Sequence, residues 1–431
     1  MSKPARRFCS LTLYTVGALL LGAVFSPRAW ATDRTVGQGK MYPTIRAAAQ
    51  ACQSGDTVTV DAGTYPSDVC TWSQPNLLVR AASGALTRPH LTANGSSEND
   101  MGVWRVSQSG TNITFDGFEI EGGYSTYANG AAIRVESGNP STITIRNCYF
   151  HDCQMEILAA PQTLIVENTE LYHSTHTTVG CEAAPTCYEH CIYVNTSYCQ
   201  SATIRYCYIH QADTGNEIKS RAQNTYILYN RIADENANPS YTIDIPDGGR
   251  SYVIGNIIAQ GVNSPNTSVL SYAAESAGNG NLDLYVINNT FVNELSGGTY
   301  VNARSGTVGK VFNNIFYGPG TLTAGGLFVL SGNYQDTQRN NGPMFVNPGP
   351  PSYDYHLTSA SPSSIVNAAI GAGTSVTGFL LTPGEQYVYD LQSTPRSLLG
   401  ALDLGAFEYT GGGGPGPDII APSTIRDLRN R

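Results

Sequence analysis

The chain has 431 residues, of which only 13% are charged, while 45 are Gly and 26 are Tyr. Lys and Arg number 24 against 33 Asp and Glu, a formal net charge of −9. That sign excludes a nucleic-acid backbone as a natural partner, and the composition is that of a rigid β protein rather than a charged helical one.

Residues 1–31 read as a signal peptide. Lys3, Arg6 and Arg7 form a basic start, Leu11 to Phe25 a short apolar core, and Ala29-Trp30-Ala31 a small-residue cleavage site. The apolar run falls short of a membrane span, and no later stretch supplies one. The chain is therefore expected to be exported, to the periplasm, the cell surface or the medium. Removing the leader leaves 20 basic against 33 acidic residues, a formal −13.

Residues 32–410 are expected to form one domain. It opens with a cap, in which Pro43-Thr44-Ile45 starts a short helix running to Ala51, and Gly55 to Tyr65 make a turn, a strand and a turn. A recurring phrase follows. Two or three alternating β-branched or aromatic residues lead to Asn or a small polar residue, then to an apolar one. Copies include Ile143-Thr144-Ile145-Arg146-Asn147-Cys148-Tyr149-Phe150, Tyr226-Ile227-Leu228-Tyr229-Asn230-Arg231-Ile232 and Tyr285-Val286-Ile287-Asn288-Asn289-Thr290-Phe291. They recur every ~21 to 38 residues, the spacing of a solenoid. One such coil cannot bury its own apolar face but stacked coils can, and Asn at the turn can ladder its amide from coil to coil. The fold expected is an all-β, right-handed parallel β-helix with a short N-terminal capping helix. Coils should run to about residue 335, with a protruding loop between His173 and His190. Residues 336–410 read as the last strands, closing the C-terminal end. Residues 411–417 are a Gly/Pro linker, and 418–431 a tail or the start of a truncated fibronectin-like module.

Nine of the 10 Cys lie beyond the leader. In an exported protein they are expected to be mostly disulfides, with Cys52 and Cys70 stapling the cap and Cys181, Cys187, Cys191 and Cys199 stapling the loop.

Strand alternation sorts the candidate functional residues. In Asn216-Glu217-Ile218-Lys219-Ser220-Arg221, Ile218 and Ser220 are expected inside, with Glu217, Lys219 and Arg221 outside. Lys219 is one of only three Lys beyond the leader. On the preceding coil Tyr193 faces out and His190 stands nearby. On the following coil Asp244 faces out and Asp247 sits at a turn. These residues should line one groove, extended by Arg134 and Arg304, with Tyr272 as an aromatic platform. Such a groove suits an extended polysaccharide. On a uronic-acid polymer it suits β-elimination or C5 epimerisation, with Lys219 or Arg221 as base and Arg221 or Tyr193 as proton donor. Glu217 with Asp244 or Asp213 would hold Ca²⁺. Glycoside hydrolysis by Asp244 and Asp247 is a further chemistry, and non-catalytic glycan binding by a surface scaffold is the alternative function. The Glu-Lys-Arg strand also has the form of an ordinary salt-bridge ladder. His151, His173 and His210 each end a repeat phrase and read as a stacked turn ladder rather than as metal ligands.

The cap phrase ending at Gly63-Thr64-Tyr65 and the Asn-bearing coils resemble secreted bacterial right-handed parallel β-helix repeat proteins. Gly215-Asn216-Glu217-Ile218-Lys219-Ser220 is similar to the chondroitinase B and alginate lyase group. That resemblance implies a Ca²⁺ ligand at Glu217 and the base at Lys219 or Arg221. The chain departs from the group in the next coil, where Ile243-Asp244-Ile245-Pro246-Asp247 stands in place of an Arg followed by His and Gly.

Overall fold

Three strands per turn, repeated in parallel, build the molecule. The structure, a computed structural model, describes Met1 and residues 31–107, 112–175, 189–389, 391–396 and 400–411. The expected signal peptide, most of the linker, the tail, Cys181 and Cys187 lie outside the described residues.

A representative coil runs Ile218–Ser220, Asn224–Leu228 and Arg231–Ala233. Each strand pairs in parallel with its counterparts in neighbouring coils, which generates three sheets. The first sheet contains Ile192–Val194, Ile218–Ser220, Ile243–Ile245 and Ser268–Tyr272. The second contains Ser201–Arg205, Asn224–Leu228 and Gly249–Ile254. In Ala131–Arg146 and Met155–Glu167 one strand runs through the corner between them, so the two join as 20 strands, and the third sheet has 11. This is a right-handed parallel β-helix, as the repeat predicts.

The corner between the second and third sheets explains the repeat phrase. The chain reverses through one residue of positive φ, such as Asn288 (51°) or Asn313 (59°), and the next residue points inward. From Asn230 onward that inward residue is always Asn. The side chains of Asn230, Asn256, Asn289, Asn314 and Asn333 form a ladder, each amide donating to the next Oδ1 at 2.9–3.0 Å. Each Oδ1 also accepts a backbone N–H of the preceding rung, as Asn256 does from Asn230 at 2.9 Å. Buried polar groups are thereby satisfied without water. Strand interiors supply the rest of the core, with Ile218, Ile243, Leu270 and Val301 in one register and fully buried. Each contributes about 1.5–3 kcal/mol.

The cap forms as expected. The helix spans Ile45–Ala51, and Thr44 Oγ1 accepts from Ala47 N–H. Asp68 accepts from the N–H groups of Ile45 and Arg46 at 2.6 and 2.8 Å, satisfying two further helix-end donors.

Two expectations fail. The seven described cysteines are all free and buried. Cys148 and Cys207 occupy the inward corner position that Asn takes later, with Thr169 between them. Two coil spacings of ~4.8 Å separate them, beyond the ~7 Å reach of a disulfide. Nor does the C-terminal segment close the end. It folds back along the outside, where Asn313 donates to Ile370 O, Asn288 to Asp403 O and Asn168 to Leu391 O. Leu404 and Phe407 cover Ile257 and Ile315 on the third sheet, while Ala372, Phe379 and Leu381 cover Tyr252 and Tyr285 on the second. The first sheet receives no such cover from the described residues of that segment. In the last coil Leu327 is 72% and Leu330 44% exposed, so that end carries no lid among the described residues.

Candidate functional site

The first sheet carries the groove. One outward column runs Arg134, Leu158, Tyr193, Lys219, Asp244, Ser271, Asn302, one residue per coil. The expected alignment of Tyr193, Lys219 and Asp244 is therefore present. Arg221 lies two residues beyond Lys219 and opens a second column, at whose far end Arg304 is exposed. Arg134, two coils before Tyr193, is half-buried, and its Nη1 donates to Asn129 O at 3.0 Å.

The centre is an ionic network. Lys219 Nζ is 3.2 Å from Asp244 Oδ2 and 3.0 Å from Glu275 Oε1, and stands over the Tyr193 ring at 5.8 Å. Arg221 Nε donates to Tyr193 Oη at 3.0 Å, Nη1 to Asp247 at 3.0 Å and Nη2 to Glu275 Oε2 at 2.5 Å. Burial opposes the charge of Lys219, but Asp244 and Glu275 outweigh it and its pKa is raised. Arg221 is likewise desolvated, and Tyr193, Glu275 and Asp247 move it upward. Burial raises the pKa of Asp244, with Lys219 opposing. Both cations are thus held charged, which suits them to grip an anion rather than to take a proton.

Glu275 was not legible in the sequence. It follows the strand Ser268–Tyr272 in a run of Ala, Ser and Gly that folds back over the groove. Glu275 N–H bonds Pro246 O, Ser276 Oγ bonds Asp247 Oδ1 at 2.7 Å, and Asn279 Nδ2 reaches Ala222 O and Gly248 O. The signal was one acid in an otherwise uncharged segment, Ala273-Ala274-Glu275-Ser276-Ala277-Gly278.

His190 abuts Tyr193 edge-on, ring centroids 5.0 Å apart. Its Nδ1 accepts from Asn216 N–H at 2.8 Å, so the neutral ring carries its proton on Nε2. Burial, with Lys219 and Arg221 nearby, pushes its pKa down to about 3. It can donate a hydrogen bond but not take up a proton. Gly215 permits this packing, since a Cβ there would lie 1.9 Å from Glu189 O and 2.6 Å from His190 Nδ1.

Three expected members are elsewhere. Glu217 is fully buried. It precedes the strand at a corner, so its side chain turns into the coil, where Cys191 Sγ and Ala212 N–H donate to it. Burial raises its pKa to about 7. Tyr272 is also fully buried and donates its hydroxyl to Gly249 O, so it offers no platform. Its position alternates to the inside with Leu270. Asp213 lies at another corner, accepting from Thr175 Oγ1 at 3.1 Å and 3.8 Å from His173 Nε2. Glu217, Asp213 and Asp244 thus sit in three different surroundings and do not converge on one cation. Asp244 and Asp247 are both engaged in ion pairs, with Lys219 and Arg221 respectively. On the third sheet His151 and His210 do stack in register, with Tyr172 rather than His173 between them.

No family model matches the chain, and no curated protein matches it. Among solved structures it is similar to pectate lyase Pel9A, with 14% identity and a TM-score of 0.57, over 89% of this chain and 97% of that one. It is more distantly similar to the PL6 family alginate lyase AlyGC, with 11% identity and a TM-score of 0.32, over 71% and 40%. A pectin methylesterase from Aspergillus niger gives 16% identity and a TM-score of 0.30, over 72% and 89%. The first of these establishes the β-helix fold over almost the whole of both chains.

Proposed function

We propose that this protein is an exported enzyme that binds a uronic-acid-containing polysaccharide along the first sheet and abstracts the C5 proton of one sugar, as a lyase or an epimerase. One observation carries the reading. The chain's own Glu275 carboxylate rests with one oxygen on Lys219 and the other on Arg221, 3.0 and 2.5 Å away. Glu275 is 49% exposed on a returning loop, whereas Lys219 lies on the strand Ile218–Ser220, Arg221 directly follows it, and both are mostly buried. A uronate carboxylate is the same chemical group, and on displacing Glu275 it would find both its oxygens met. The pectate lyase of the same fold acts, by its name, on a polyuronate.

Neutralising the sugar carboxylate acidifies the adjacent C5–H. Tyr193 Oη is the proton-transferring atom in this reading, because it stands beside the Lys219–Arg221 clamp, 3.0 Å from Arg221 Nε and with its ring under Lys219 Nζ. As the phenolate it takes the C5 proton. The electrons form the C4–C5 double bond, the C4–O4 bond breaks, and the same phenol returns the proton to O4. In epimerisation the C4–O4 bond stays whole: a water on the opposite face gives C5 its new proton, and the hydroxide left behind takes the abstracted proton from Tyr193. No step runs through calcium, since the expected ligands do not converge.

The test is ultraviolet absorbance of the unsaturated product on a panel of polyuronates and glycosaminoglycans, with Tyr193→Phe and Arg221→Ala beside the natural chain. A rise lost in both variants supports elimination. Solvent deuterium incorporated at C5 without a rise supports epimerisation. Binding without either would place the chain among non-catalytic glycan-binding scaffolds, and no binding at all sinks the reading.

A further inference from the structure

On the third sheet, away from the groove, three coils bring two imidazoles and two carboxylates together. His90 lies on Pro89–Thr92, Glu119 and Glu121 on Glu119–Glu121, and His151 on Tyr149–His151, strands adjacent in the sheet. A ligand atom from each of His90, Glu121 and His151 lies within 4.8 Å of the others. His90 Nε2 is 3.6 Å from Glu121, and His151 Nε2 is 3.7 Å from its other oxygen. Glu119 Oε1 stands 3.5 Å from His90 Nε2 and 3.6 Å from His151 Nε2.

These are ion-pair separations, longer than ordinary hydrogen bonds and nearly equal to one another. A tetrahedron of ligands at about 2.0–2.1 Å from a metal has edges of about 3.3–3.5 Å. Both Nε2 atoms are buried and lack a hydrogen-bond partner, although His151 is only 8% exposed. Such atoms ordinarily find a partner. His151 Nδ1 is bonded at 2.6 Å to Asp152, which fixes the ring with Nε2 directed at the cluster. A carboxylate on the far nitrogen is the usual support of a metal-bound imidazole.

We propose that His90, His151 and Glu121, with Glu119 as the fourth ligand, form a binding site for a divalent cation of the zinc class. Imidazole nitrogen with carboxylate oxygen suits Zn²⁺ and excludes Ca²⁺ as the preferred ion. The site clips three successive coils near the N-terminal end. His90 and Glu121 are 28% and 32% exposed, which leaves an entry path.

The test uses the mature chain without a histidine tag, treated with EDTA and titrated calorimetrically with Zn²⁺. One equivalent should bind, and Co²⁺ should give the visible absorption of a tetrahedral site. The melting temperature should rise with Zn²⁺. His90→Ala and Glu121→Gln should each weaken binding by about tenfold or more and cancel the Zn²⁺-dependent shift while melting normally without metal. Absence of stoichiometric binding overturns the proposal, as does binding that both variants retain.

Discussion

Removing the Glu275 carboxylate should strengthen, not weaken, the grip on a uronate. In the resting site Glu275 satisfies Lys219 and Arg221 at once, so a substrate carboxylate must first displace it. Glu275→Gln removes that competition and leaves the clamp in place, because Lys219 keeps Asp244 and Arg221 keeps Asp247 and Tyr193. Glu275 is half exposed, so each lost ion pair is worth about 0.2–1 kcal/mol. Two pairs give about 0.5–2 kcal/mol, a twofold to thirtyfold gain in affinity. Calorimetric titration of a short oligouronate into the natural chain and the variant measures this. The melting temperature should be almost unchanged, since the pairs are peripheral to the core. If the variant melts normally but binds the oligouronate no better, or worse, then Glu275 is not occupying a carboxylate site and the argument for the groove falls.

Two further outcomes concern the scaffold. Asn256→Leu keeps volume but leaves the Asn230 N–H and side-chain amide, and the Ile227 carbonyl, without their partner. At about 1–3 kcal/mol for each stranded group, denaturant unfolding should show a loss of several kcal/mol, and a loss under about 1 kcal/mol would contradict the ladder's role. His210 is buried between Glu170 and Glu235. Desolvation lowers its pKa, but the two carboxylates outweigh it and raise the value from 6.5 to about 9. The stabilisation is therefore complete below about pH 6.5 and lost as pH rises toward 9, by about 3 kcal/mol. Melting temperature against pH should fall across that window, and His210→Asn should flatten the fall.

Periodic features were legible in the chain. The alternation that puts Ile218 and Ser220 inside and Lys219 outside holds wherever the backbone is a strand, because side chains in a strand point to opposite faces in turn. The Asn phrase likewise announced both the corner and its ladder, since an αL residue followed by an inward amide is a local requirement of that turn. The same rule failed for Glu217. One residue before the strand the chain is at a corner, alternation no longer applies, and the carboxylate turns inward.

The sequence by itself therefore determined the coil, the register of Tyr193, Lys219 and Asp244, and the capping helix, all products of short-range pattern repeated many times. The tertiary structure alone decided which sheets the C-terminal segment covers, because its described residues, among them Phe345, Ala372, Leu381, Leu404 and Phe407, pack on the second and third sheets. It also decided that Glu275, 54 residues beyond Arg221, closes onto the clamp, and that His90, Glu121 and His151 meet. Contacts between coils depend on loop lengths and stacking offset, which no local pattern encodes. They arise only when the solenoid has wound.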